Sequence, residues 1–280
     1  MSKRTRSNGT RTIERRLAEG RGQGRGPDYK PWIEIHDFAN RGQANRVKSP
    51  LHGRTCHLHS QLETDWFRAF HALRGLKDVR EQYPLLELDE TLAIADQLGI
   101  VHPTDPKSQE ACVVTTDFLL TVHDAVREFD RAIAVKPAAD LASERVLEKL
   151  EMERLYWSAR NIEWQILSEK ELSPALAKNM RWLFPHLDLS SSSEFTLEQI
   201  QRVRSLMEPE LAAGSSSLAV IATACDDRLG LAPGASLCVA RHLIGVGTWA
   251  VDLMVEIDPR KPIQLRANGG NHGAAAQLAA

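Results

Sequence analysis

Cysteine is scarce in this chain. The four thiols in 280 residues, Cys56, Cys112, Cys225 and Cys238, lie far apart with no Cys-x-x-Cys pair. That excludes a disulfide scaffold and fits reduced thiols in a cytoplasmic protein. Long apolar runs are missing as well. None approaches the ~18 residues a membrane span needs, and the charged start has no apolar segment of the signal-peptide kind behind it, so no membrane partner is expected. Net charge is only −2, and 42% hydrophobic with 26% charged residues excludes wholesale disorder and collagen-like repetition. The near-neutral total hides an asymmetry. The first thirty residues hold nine Lys or Arg against three acids, leaving the remainder acidic.

Polar Arg-, Gly- and Ser-rich composition, centred on Gly20-Arg21-Gly22-Gln23-Gly24-Arg25-Gly26, predicts a flexible basic arm over residues 1–30. Its Arg21, Arg25 and Lys30 are candidate DNA contacts. Helix and strand signals then interleave, which predicts a mixed α/β domain over 31–169. Leu62, Trp66, Phe70 and Leu73 recur at helical spacing over 60–74. Strand-like runs follow at 79–85, 112–116, 132–136 and 162–167, with a short helix at 91–98 and a charged one at 141–157 whose Leu147, Leu150 and Tyr156 or Trp157 face inward. From 170 to 267 the texture is mainly helical. Residues 226–241 read as helix-turn-helix and 248–255 as a following β-wing. The Gly- and Ala-rich residues 268–280 read as a loose tail.

Chemistry is concentrated around Asp117, at the end of a β-branched strand, and Lys136, nineteen positions on at the end of another. Antiparallel pairing of those strands would bring the two together. A hard cation such as Mg²⁺ prefers carboxylate, carbonyl and water oxygens, so Asp117 with the carbonyl of Val135 makes part of a cage. Lys136 is suited to orient an attacking water beside a phosphodiester. An exposed ion pair is the plainer reading of this spacing. Glu63 is the candidate second acid, although Ser60-Gln61-Leu62-Glu63 also fits a capping box. Cys56-His57-Leu58-His59 lacks a second ligand pair for tetrahedral zinc. The charges of 144–154 read as a solvated helix face, with Glu153 a possible exception.

An ordered series of segments resembles the TnsA family, the endonuclease subunits of heteromeric transposases. It runs through Glu19-Gly20-Arg21-Gly22-Gln23-Gly24, Asp28-Tyr29-Lys30-Pro31-Trp32, residues 60–63 and 79–86, Gly99-Ile100-Val101-His102-Pro103, Thr116-Asp117-Phe118-Leu119, Val135-Lys136-Pro137-Ala138-Ala139, and 147–157. The likeness spans roughly residues 11–170. The C-terminal half shares only length and general character with the family.

The resemblance implies a restriction-endonuclease-like α/β N-terminal domain with Glu63, Asp117 and Lys136 catalytic and Mg²⁺, or Mn²⁺, as cofactor. It sets the catalytic role of Glu63 above capping. It also implies cleavage of transposon-end DNA at the 5′ ends, beside a TnsB-type transposase that cuts the 3′ ends and joins them to target. A winged-helix-like C-terminal domain is expected to contact a TnsC-type AAA+ ATPase. One departure stands out. The family pattern carries Gln or another polar residue two positions before the lysine, where this chain has Ala134. Water in place of that oxygen, and Glu153 acting from behind the ligands, are the expected substitutes. Two other readings use the same residues: a non-catalytic adaptor bridging TnsB, TnsC and DNA, and a free-standing nuclease.

Overall fold

The computed structural model describes residues 10–37, 43–106, 108–189 and 195–266. The chain divides into two compact units, Met1–Phe67 with Gly75–Glu171, and Arg68–Arg74 with Leu172–Ala280. The first is built on a mixed sheet and the second on helices. Among the described residues no helix is long and apolar enough to cross a membrane.

In the first unit, strands β3 (Leu76–Pro84), β4 (Thr115–His123), β5 (Glu128–Val135) and β6 (Glu163–Leu167) form a sheet in that order. The first three run antiparallel, and β6 pairs parallel to β5. Helices α3 (Leu88–Leu98) and α4 (Glu144–Ser158) contribute Ile94, Ala95, Met152, Tyr156 and Trp157 to a core shared with Leu119 and Ala132 of the sheet. Phe118, the neighbour of Leu119, instead stacks on Phe67 of α2 (Gln61–Phe70) with ring centroids 6.4 Å apart. The alternation of a strand thus gives each face its own helical cover. A small antiparallel ribbon, β1 (Asn45–Lys48) with β2 (Thr55–Leu58), precedes α2.

The expected mobile arm is not what the described part of that segment forms. Residues 1–9 lie outside the described residues, but α1 (Thr10–Ala18) and the loop after it are folded into the unit. The glycines serve geometry rather than flexibility. Gly22 and Gly24 both have φ in the left-handed region, +73° and +83°. A Cβ on Gly22 would lie 2.4 Å from Pro84 Cγ, and one on Gly24 would lie 2.7 Å from the carbonyl oxygen of Asp28. The amide of Gly22 donates to the carbonyl of Lys30, and that of Gly26 to Asp78 Oδ2. Arg21 is buried. It donates to Asp37 Oδ2 at 2.5 Å and to Glu19 at 2.7 Å, with Glu34 at 3.4 Å. Composition alone missed this because the cations neutralise acids inside the fold.

Strand β3 has an unusual interior for the same reason. Asp78, Arg80, Glu81 and Gln82 are all buried along it. Arg54 of the ribbon meets Glu81 at 2.7 Å, Arg80 meets Asp130 at 2.9 Å, and the Tyr29 hydroxyl donates to the carbonyl of Glu81. Such charges persist in a core only when paired and hydrogen-bonded.

The second unit contains α5 (Pro174–Leu183), α6 (Leu197–Ala213), α7 (Leu218–Leu229) and α8 (Ala235–Gly245). The helix-turn-helix expectation corresponds to α7, a short turn and α8. Asp226 fixes that turn by accepting from the amides of Gly234 and Ser236, both at 2.7 Å. The expected wing at 248–255 forms no strand. Asn179 instead holds the segment as irregular chain, donating to the carbonyls of Leu253 and Val255 and accepting from the amide of Ile257. Residues 190–194 and the expected tail at 268–280 lie outside the described residues.

The Arg21 pairing yields a stability prediction. Arg21→Ala leaves Asp37 short of a buried partner and is expected to lower unfolding free energy by about 3 kcal/mol. Urea denaturation checks this; a loss below ~0.5 kcal/mol, the size of an ordinary surface substitution, would contradict the buried assignment.

Candidate active site

The β4–β5 hairpin brings Asp117 and Lys136 together. Its turn is closed by Asp124, whose Oδ1 accepts from the amides of Val126 and Arg127, and its register sets Phe118 opposite Ile133. With that register, Lys136 Nζ lies 2.6 Å from Asp117 Oδ2, and the amide of Val135 donates to the same oxygen at 2.7 Å. The backbone amide of Lys136 donates to the carbonyl of Leu167 on β6, so the residue is tied to the sheet as well as to the acid. The pair is not the exposed one that spacing alone suggests. Asp117 is 8% exposed. Both of its recorded hydrogen bonds fall on Oδ2, which leaves Oδ1 as its oxygen for a further ligand.

Glu63 enters from the first turn of α2, and both sequence readings of it describe real features. Its amide donates to Ser60 Oγ, while its carboxylate accepts from Ser60 Oγ at 3.0 Å and from the amide of His59 at 2.9 Å. These are capping contacts. The same carboxyl is 7% exposed and interacts electrostatically with Asp117 and Lys136. Burial, and then the charge of Asp117, push its pKa up to about 7 against the pull of the His59 amide, Lys136 and Ser60.

Glu153 reaches the group from α4. It is 4% exposed and accepts from the Thr116 hydroxyl, which in turn accepts from Trp157 Nε1 at 2.7 Å. Burial raises its pKa to about 8, with Lys136 opposing and Asp117 reinforcing the shift. Burial acts to lower the Lys136 ammonium, but Asp117, Glu153 and Glu63 outweigh it and hold the group above its ordinary range. Three carboxyls therefore surround one amine.

A cleft of about 340 Å³ opens on this group, lined by Val113, Thr115, Asp117 and Lys136 on one side and by Val146, Lys149, Leu150 and Glu153 of α4 on the other. The helix is turned slightly from expectation. Leu147 is exposed, and Val146 takes the place beside the cleft. Arg145 pairs with Glu148 and Arg154 with Glu151, so the solvated-face reading describes those charges but not Glu153. Among the described residues no group of three or more His, Cys, Asp or Glu is gathered as a ready-made metal site. The oxygen-only donor pair of Glu63 and Asp117, two acids whose charges oppose each other, nevertheless matches the preference of a hard divalent cation. His57 accepts from the amide of Ile35 through Nδ1, and Cys56 is buried.

Two family models match consecutive parts of the chain. One, described as TnsA-like endonuclease N terminal, covers residues 75–169, and the other, TnsA endonuclease C terminal, covers 171–253. The chain belongs to the TnsA-like endonuclease family. It is also 44% identical over 172 residues to the transposon Tn7 transposition protein TnsA of Escherichia coli, an alignment covering 61% of this chain and 62% of that protein. The N-terminal family match contains Asp117, Lys136 and Glu153 and begins after Glu63. Of the residues first read as DNA contacts, Arg21 is buried on Asp37. Arg25 and Lys30 remain on the surface, Arg25 within 3.5 Å of Glu128 and Lys30 donating to the carbonyl of Glu19. The roles of Thr116 and the His59 amide carried no sequence signal, because each acts through a hydrogen bond that only the fold creates.

The raised acids have a measurable linkage. Between pH 4.5 and about 8 the folded chain retains the Glu153 proton while the unfolded chain releases it, so wild-type stability declines as pH rises through that window. Glu153→Gln removes this term. Its stability relative to wild type should grow by roughly 1.4 kcal/mol per pH unit across the window, measured by denaturation without divalent ions. A pH-independent difference would mean Glu153 is not held protonated.

Proposed function

We propose that this chain is the DNA-cleaving subunit of a transposase, hydrolysing the phosphodiester at the 5′ ends of its element. Support comes above all from the shared Asp117 oxygen, held by Lys136 and the Val135 amide at a cleft in a chain of the TnsA-like endonuclease family. Glu63 and Asp117, with the carbonyl of Val135, are the residues that would hold Mg²⁺, with Mn²⁺ substituting. When bound, the ion supplies positive charge to the phosphate oxygens and makes water more acidic. Lys136 offers its ammonium to the nucleophilic water and the phosphate, and its ion pair with Asp117 fixes where that charge lies. Glu153 acts from behind the site, holding Thr116 beside Asp117 and balancing Lys136.

Nothing on the sheet presents an obvious base-reading element, so end recognition is assigned to a TnsB-type transposase and regulation to a TnsC-type ATPase meeting the helical unit. A restriction-endonuclease-like ancestry of the sheet belongs to the same reading.

Reconstituted cleavage of transposon-end DNA with the transposase partner and Mg²⁺ tests it. Asp117→Ala and Lys136→Ala should each reduce 5′-strand cleavage by about 10²-fold or more, and a chelator should abolish it. Wild type and Asp117→Ala leaving that strand equally intact would establish the adaptor reading instead; rapid cutting of unrelated DNA by the chain alone would establish a free-standing nuclease. Ion binding carries a second signature. Glu63 must shed its proton, so Mn²⁺ affinity measured by calorimetry should rise toward tenfold per pH unit below about pH 7 and level off above it.

A further inference from the structure

Helix α4 carries three cations, Arg145, Lys149 and Arg154. Two are consumed locally: Arg145 lies 2.6 Å from Glu148, and Arg154 makes two hydrogen bonds with Glu151 at 2.7 and 2.8 Å. Lys149 has no ion-pair partner among the described residues, although Glu153 stands one helical turn away. Glu153 is turned inward to the Thr116 hydroxyl instead. Lys149 is exposed and lines the same cleft as Asp117 and Lys136.

The charge of that cleft follows from these contacts. Asp117 and Lys136 pair at 2.6 Å, and Glu153, which also lines the cleft, is 4% exposed and engaged by the Thr116 hydroxyl. Of the charged side chains that line the cleft, Lys149 is the exposed one without an ion-pair partner among the described residues, mounted on a helix whose next residue, Leu150, is buried. An uncommitted cation at the mouth of a cleft is suited to an anion that approaches from outside. A flexible lysine meets phosphate as a point charge, without demanding one base sequence.

We infer that Lys149 is a substrate-positioning residue, binding a backbone phosphate of duplex DNA as the strand enters the Asp117–Lys136 cleft. This rests on the nuclease reading for its ligand but makes a separate claim, because phosphate binding by Lys149 does not require the bond to be cut.

Equilibrium binding of the full chain to a transposon-end duplex, over a range of salt concentrations, tests it. Lys149→Ala should weaken binding about 3- to 10-fold at moderate salt and reduce the slope of log affinity against log salt by about 1, the loss of one phosphate contact. Lys149→Glu should weaken it further, and Lys149→Arg should restore both affinity and slope. Thermal melting should be unchanged in all three, since the side chain is exposed and unpaired. An unchanged salt slope in Lys149→Ala, failure of Lys149→Arg to restore it, or no measurable duplex binding by wild type would overturn the inference. The two claims fail separately. Asp117→Asn that binds DNA normally yet cuts as well as wild type defeats the nuclease reading and leaves Lys149 standing. Loss of cutting in Asp117→Asn with a normal Lys149→Ala slope does the reverse.

Discussion

Three acids buried around one ammonium set the terms for everything else in the first unit. In a medium of low dielectric, Glu63, Asp117 and Glu153 cannot all be ionised beside a single Lys136. The outcome depends on how each is held. Asp117 has the direct contact with the ammonium and a backbone amide on the same oxygen. Glu63 and Glu153 have weaker compensation, and the raised pKa of each records the shortfall. A site with surplus acid is a poor source of stability but a good receptor for positive charge, whether the charge arrives as protons or as a cation.

Such a cluster survives because each member is anchored by an element that would form without it. The Asp124 turn and the Phe118–Ile133 register create the hairpin, and apolar packing of Leu119 and Ala132 beneath α3 and α4 holds it. Asp117 and Lys136 arrive as consequences of register, so a slip of one residue would send them to opposite faces. Glu153 is placed by Met152, Tyr156 and Trp157 sinking into that same core, and Glu63 by the start of α2. Electrostatic cost at the site is thus offset by hydrophobic burial next to it.

The sequence made much of this legible, and the exceptions share a cause. The strand-like run at 162–167 located β6, that at 112–116 reached only the first two residues of β4, and Gly99 marked the end of α3. Asp117, Lys136 and Glu63 stood out because their types and order matched a family pattern. The Arg21 segment was misread as mobile because composition counts charges without seeing partners: Asp37 and Glu34 supply counter-charges to Arg21, and Asp78 accepts from the amide of Gly26. Strand β3 was short in prospect because four polar residues among five, Asp78, Arg80, Glu81 and Gln82, disguise a buried strand. The wing failed for the converse reason. An apolar run at 248–255 resembles a strand, but the carbonyls of Leu253 and Val255 are taken by Asn179, a side chain more than seventy residues away.

Glu63 shows why the capping and chemical readings of one residue need not compete. A carboxylate has two oxygens and about four lone pairs, so two capping donors do not exhaust it. The His59 amide and the Ser60 hydroxyl fix its rotamer and favour its ionised form, partly opposing the burial and the Asp117 charge that favour the proton. Capping therefore fixes the position of the acid and moderates a proton affinity that burial and Asp117 raise. The balance leaves it near neutrality, where additional positive charge nearby favours its ionised form. A carboxyl poised in this way answers to its ligand by losing a proton rather than by refolding, which is what a site assembled from three distant stretches of chain requires if it is to stay in register while its occupant changes.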